Sequence, residues 1–143
     1  MENQQQMKLK KVVSFCLTGG DIPAGKHLTL WFKPRGEERL NWVQRLGEEV
    51  LFEELFVLQD QNVICVVCEL QDKTLYKGES QEHVTMETFD GAAPALSNNL
   101  ILANKAMCEA VTATAFTKKA FLSAMYYSSE GKSYTTKTTD WRV

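Results

Sequence analysis

Apolar residues along the chain alternate with polar ones in short runs more often than they recur at helical spacing, and that rhythm predicts a strand-rich domain. Residues 9–17 read as a first strand, closed by the turn-rich Thr18-Gly19-Gly20-Asp21-Ile22-Pro23. A second strand, 26–32, runs into Lys33-Pro34-Arg35-Gly36. Two β-rich runs, 50–58 and 62–70, are divided by Gln59-Asp60-Gln61 and predict a hairpin or a linked strand pair. Further strands are expected at 80–89, which ends at Asp90-Gly91, and at 110–116, 120–127 and 133–143, the last after a turn at Gly131. Helical spacing is confined to two places. Leu40, Val43 and Leu46 predict a helix over 37–48, with acids crowding its first turn, and Leu96, Leu100, Ala103 and Met107 predict a second. The expected fold class is α+β. The glutamine-rich residues 1–8 read as a flexible tail, and 9–143 as one domain, since 143 residues with 44% hydrophobic content bury one core.

Charge narrows the functions available. A formal net charge of −2 gives no basic surface for tracking a long nucleic acid, so any nucleic-acid contact is expected to be local. Apolar runs are too short for a membrane span, and no signal peptide is recognisable, so a soluble, cytoplasmic protein with no membrane partner is expected. The four cysteines, Cys16, Cys65, Cys68 and Cys108, all lie in apolar runs. Residues three apart on a strand point to opposite faces, so Cys65 and Cys68 suit neither a bridge nor a shared metal; reduced, buried cysteines are expected.

The chemistry concentrates at the two histidines, His27 and His83, each followed by an apolar residue, a threonine and another apolar residue: His27-Leu28-Thr29-Leu30 and His83-Val84-Thr85-Met86. On a strand, histidine and threonine share one face while the apolar pair points the other way. A single histidine in this setting is usually a half-buried surface residue; chance supplies it roughly once in sixty, and both together less than about once in a thousand. Two such strands side by side present two imidazoles and two hydroxyls to one phosphodiester. A neutral imidazole takes a proton from attacking water, a charged one protonates the leaving oxygen, and the hydroxyls steady the nonbridging oxygens. Neither metal nor cofactor is called for.

The paired motifs resemble those of the two-histidine phosphoesterase superfamily. The residues after the second motif, Gly91, Pro94, Ser97-Asn98 and Leu100, are similar to the cyclic phosphodiesterase domain of tRNA ligases and to the myelin-type 2′,3′-cyclic nucleotide phosphodiesterase. The ending, from Gly131-Lys132-Ser133-Tyr134 to Trp141, resembles the closing strand of the latter. The resemblance implies a bilobal fold of two antiparallel sheets facing a central cleft, with one motif in each lobe. It also implies hydrolysis of 2′,3′-cyclic phosphates, on RNA ends or free nucleotides, to 2′-phosphates. His27 and His83 would be the acid/base pair, and Thr29 and Thr85 the phosphate ligands. Superfamily members that cleave 2′–5′-linked or cyclic oligonucleotide messengers, some of them viral proteins that blunt host defence, leave that substrate as an alternative. A module that binds nucleotide phosphate without turnover is another. Trp31 and Phe89 continue the alternation beyond each threonine, and are expected either to contact a nucleobase at the rim or to close the core. Lys33 and Arg35 lie just past the first motif, and either Tyr126 or Tyr127 could face a cleft.

Overall fold

The computed structural model describes residues 11–138. Within them lie β1 (Ser14–Thr18), β2 (Leu28–Phe32), α1 (Glu38–Gln44), β3 (Glu49–Gln59), β4 (Val63–Leu70), a 3-10 turn (Lys73–Leu75), β5 (His83–Thr88), α2 (Leu96–Ala103), α3 (Lys105–Ala110), β6 (Lys118–Ser128) and β7 (Gly131–Thr135). The class is α+β, as the patterning implied. The expected tail falls outside the described residues, as does the end of the last strand, including Trp141.

All seven strands join one antiparallel sheet in the order β1-β2-β5-β4-β3-β6-β7. Because β6 also pairs with β1, six strands close into a barrel-like ring, with β7 appended along β6. The strands therefore form one hydrogen-bonded sheet and not the two separate sheets expected. The ring is unevenly joined. Seven residue pairs register β3 on β4 and four register β3 on β6, whereas β2 meets β5 at one pair, Leu28 with Val84. That thin seam is where the two histidine motifs lie.

One face of the sheet carries the main core. Phe15, Leu17, Leu28, Leu30, Phe52, Cys68, Leu70, Val84 and Leu122 come from all six ring strands and form one connected apolar cluster. Helix α1 adds Trp42, Val43 and the following Leu46. Leu40, expected on the buried side of this helix, is exposed; Trp42 takes its place and its indole N–H donates to Glu38 one turn back. On the opposite face of β3 and β4, Leu58, Cys65 and Val67 pack against Ile101 of α2 and Cys108 of α3. Cys65 and Cys68 thus enter different clusters, and all four cysteines are free and buried.

The strand expected at 110–116 does not form: Ala110 closes α3, and 111–117 is irregular. Backbone amides there are satisfied otherwise: Ala113 donates to the Glu69 carboxylate at 2.7 Å and Thr117 to Glu53 at 3.2 Å. With its donors taken by side chains, the segment crosses β3 and β4 as a connection without ladder bonds. Gly20 fixes the turn after β1. Its φ of +58° is left-handed, and a Cβ there would sit 2.2 Å from the Lys119 carbonyl, so only glycine fits.

Candidate active site

The single Leu28–Val84 pair organises the site. Continuing its antiparallel register by one residue on each side sets His27 opposite Thr85 and Thr29 opposite His83. The two motifs are therefore related by a local two-fold through that pair. Leu28 and Val84 are buried in the core, while all four histidine and threonine side chains occupy the other face and are half-buried. Directly opposed side chains of this kind lie about 5 Å apart at Cβ and the diagonal histidines about 7–8 Å. A phosphate fits between two imidazoles at that separation. His83 is near enough for its charge to be one of the lesser influences that lower the His27 pKa.

Each imidazole is held at Nδ1. In His83 the ring nitrogen lies 2.6 Å from the Gln81 carbonyl, which can only accept; Nδ1 therefore carries the proton, and neutral His83 presents the Nε2 lone pair to the site. The strand entering this motif is fixed in turn. The Glu82 carboxylate accepts from the Leu70 amide at 3.1 Å, and its carbonyl accepts from the Cys68 amide at 2.8 Å. His27 Nδ1 lies 3.1 Å from the Tyr134 hydroxyl, with the two rings 5.5 Å apart between centroids. Burial is the main cause that pushes both histidines below their ordinary pKa. For His27 the charges of Lys132, His83 and Lys26 push the same way; for His83 the Gln81 carbonyl and Glu82 push back.

The hydroxyls differ. Thr85 exchanges a 2.8 Å hydrogen bond with Ser97, a fully buried residue of α2, so the helix steadies this side of the site. Thr29 makes no hydrogen bond to a described side chain and sits opposite Cys16 of β1. Burial raises the Cys16 thiol to about 12, which keeps it a neutral, inert neighbour.

Trp31 and Phe89 leave the face of the histidines for one shared reason, which for Trp31 selects the core-closing reading. In β1–β2, Phe15 pairs with Trp31 and Cys16 with Thr29, leaving Leu30 as an extra residue; in β4–β5, Ile64 pairs with Glu87 and Cys65 with Thr85, leaving Met86 extra. A β-bulge therefore follows the threonine of each motif, and the alternation slips by one. Trp31 turns to the core face, with its ring 6.0 Å from Phe15, 5.4 Å from Trp42 and beneath the Lys77 ammonium. It closes the core and does not share the face of His27. Phe89 lies beyond the end of β5, its amide donating to the Asn62 carbonyl, and no longer shares the parity of Thr85.

Tyr126 packs on the main core and Tyr127 is exposed; the tyrosine that meets a histidine is Tyr134 of β7, part of the ending that resembles a closing strand but with no role expected of it. Lys132 shares its face of β7 at a spacing of two. Among the described residues, no helix is long and apolar enough to cross a membrane. No family model, curated protein or solved structure matches this chain.

Proposed function

We propose that the chain is a metal-independent phosphodiesterase that opens a nucleoside 2′,3′-cyclic phosphate to the 2′-phosphate. The supporting observation is the placement of both histidine–threonine motifs on one face about the Leu28–Val84 pair. The seam sets one motif at β2 and the other at β5, side by side in the same sheet, and this juxtaposition supports the two-motif reading.

In the reaction, one neutral imidazole takes a proton from water as its oxygen bonds to phosphorus. The P–O3′ bond breaks, and the opposite, charged imidazole gives its proton to O3′. Each histidine ends in the other's starting state, and exchange with solvent resets the pair. Thr29 and Thr85 donate to the nonbridging oxygens, and Lys132 adds positive potential on the His27 side. Two titratable groups set across a phosphate suit turnover better than simple binding, which needs only donors.

The test is incubation of purified protein, with EDTA, with the four 2′,3′-cyclic mononucleotides and a panel of cyclic dinucleotides and 2′–5′-linked oligonucleotides. Turnover of the cyclic mononucleotides that is lost in both His27→Ala and His83→Ala, while the variants remain folded, supports the proposal. Activity confined to the other substrates transfers the same chemistry to the alternative class. Tight binding without turnover in the wild type refutes catalysis.

A further inference from the structure

A concavity separate from the histidine face lies where β1 begins and β2 and β6 end. Backbone hydrogen bonds build it: the Val13 amide donates to the Met125 carbonyl, and the Lys33 amide to the Val13 carbonyl. Its volume is about 610 Å³, and Lys11, Lys33, Arg35, Arg39 and Tyr127 line it together with small and apolar residues. Four cations converge there and no carboxylate is among the lining residues. In a chain of net charge −2, that concentration of one sign makes a local anion trap. Tyr127 is 64% exposed, so its ring face is open for stacking.

The groove is connected to the histidine site by β7. Tyr134, bonded to His27, and Lys132 share a face of that strand, and Lys132 pairs directly with Tyr127, which lines the groove. The sequence of placements is His27, Tyr134, Lys132, Tyr127, groove. Along β2 the reach from His27 to Lys33 is about 20 Å at about 3.3 Å per residue. A mononucleotide cannot span it, whereas a few nucleotides of extended single strand can.

Building on the proposed reaction at the histidine pair, we infer that the substrate is the 3′ end of a single-stranded RNA, with its terminal cyclic phosphate between the histidines. The preceding backbone runs past Lys132 into the Lys11–Lys33–Arg35–Arg39 groove, and one base stacks on Tyr127. Arg39 already donates to the Gly36 carbonyl at 2.8 Å and so serves the fold as well as the groove. Lys11, Lys33 and Arg35 are exposed, Lys33 with its ammonium 5.4 Å over the likewise exposed Phe32 ring. Repeated cations around aromatic faces are how single strands are held without base readout.

The test compares wild type with the triple variant Lys11→Gln/Lys33→Gln/Arg35→Gln and with Tyr127→Ala. Substrates are a 2′,3′-cyclic mononucleotide and an RNA of about eight nucleotides ending in the same cyclic phosphate, a length within usual single-strand site sizes. The triple variant should leave kcat/KM for the mononucleotide unchanged and lower it for the oligonucleotide about tenfold or more. The slope of its logarithm against log salt should become shallower by about 2, since each single-strand phosphate contact contributes about 0.7. Tyr127→Ala should cost the oligonucleotide about tenfold. Equal responses of the two substrates overturn the inference. Should the wild type hydrolyse neither, the proposed reaction fails, and the groove is judged by anisotropy with a labelled, 3′-phosphorylated octamer. Binding that weakens in the triple variant upholds the groove; binding that does not change, or binding of phosphatidylserine vesicles but not of the octamer, overturns it.

Discussion

Replacing Tyr134 by phenylalanine isolates the one long-range hydrogen bond to a motif histidine among the described residues. The ring stays, so its packing at 5.5 Å from the His27 ring is kept, and only the hydroxyl 3.1 Å from Nδ1 is lost. While His27 is neutral, that bond is an ordinary one, worth about 1 kcal/mol. When the imidazole is charged, its Nδ1–H donates to the phenol oxygen, and a hydrogen bond to a charged group is worth about 1.5–3 kcal/mol. The bond is thus stronger by about 0.5–2 kcal/mol in states that carry the proton on His27, and its removal should lower kcat/KM by about 2- to 30-fold, since 1.4 kcal/mol is a factor of ten. Thermal stability should change little, because the hydroxyl is only part-buried. The decisive assay is a double-mutant cycle on a 2′,3′-cyclic mononucleotide: in a His27→Ala background, Tyr134→Phe should cost nothing further. If Tyr134→Phe matches wild type in rate, or lowers it equally with and without His27, then Tyr134 does not act through that imidazole and the reasoning is wrong.

Other consequences follow from burial at the seam. Both histidines titrate below their ordinary value of about 6.5 in the folded chain, so below that pH the unfolded state binds protons more readily than the folded one. Stability should therefore be full above about pH 6.5 and decline as pH falls toward the lowered folded pKa. Melting curves of the His27→Ala/His83→Ala double variant should show a visibly flatter decline between pH 7 and 5.5, and a decline as steep as the wild type's would contradict this. The paired carboxylates Glu38, Glu48, Glu53 and Glu69, all held low by hydrogen-bonded partners, lose their contribution only at lower pH, below their ordinary 4.5. Leu28→Ala removes a fully buried side chain from the single pair joining β2 to β5, and should cost about 3 kcal/mol, or about 10 °C in Tm. Its kcat/KM should also fall at temperatures well below the melt, because the same pair sets the separation of the imidazoles; full activity there would show that the seam does not position them.

Much of this was legible because strands announce themselves by alternation. The apolar runs around Val66, Val84 and Leu122 mark strands that the fold contains, and the two histidine–threonine motifs point to a common face without any structure. Alternation fails where a bulge intervenes, and neither bulge carries a glycine or proline to mark it: the inserted residues are Leu30 and Met86, both core-facing. The alternation put Trp31 and Phe89 on the histidine face for that reason, and for Trp31 the core-closing alternative is the one realised. The link of Tyr134 and Lys132 to His27 was hidden for another reason, although both belong to the ending that resembles a closing strand. They reach His27 only because the β6–β7 hairpin folds back onto the ring, a contact 107 residues apart in sequence for the tyrosine. Ser97 is similar, since its hydroxyl matters only once α2 packs beside Thr85. Residues 110–116 show the converse, a β-prone run that makes no ladder: Ala110 closes α3, and acidic side chains of β4 and β3 take the amides of Ala113 and of the following Thr117.

The central claim is that both imidazoles flank one phosphorus atom, and with only two histidines in the chain it is open to direct observation. Two-bond 1H–15N spectra of the imidazoles should be recorded while a nucleoside 2′-monophosphate, the proposed product, is titrated in. The account predicts that both ring systems shift along one common binding isotherm and that both pKa values rise in the complex. Movement of one ring alone, or of the two with different dissociation constants, would place them at separate sites and end the case for a shared catalytic pair.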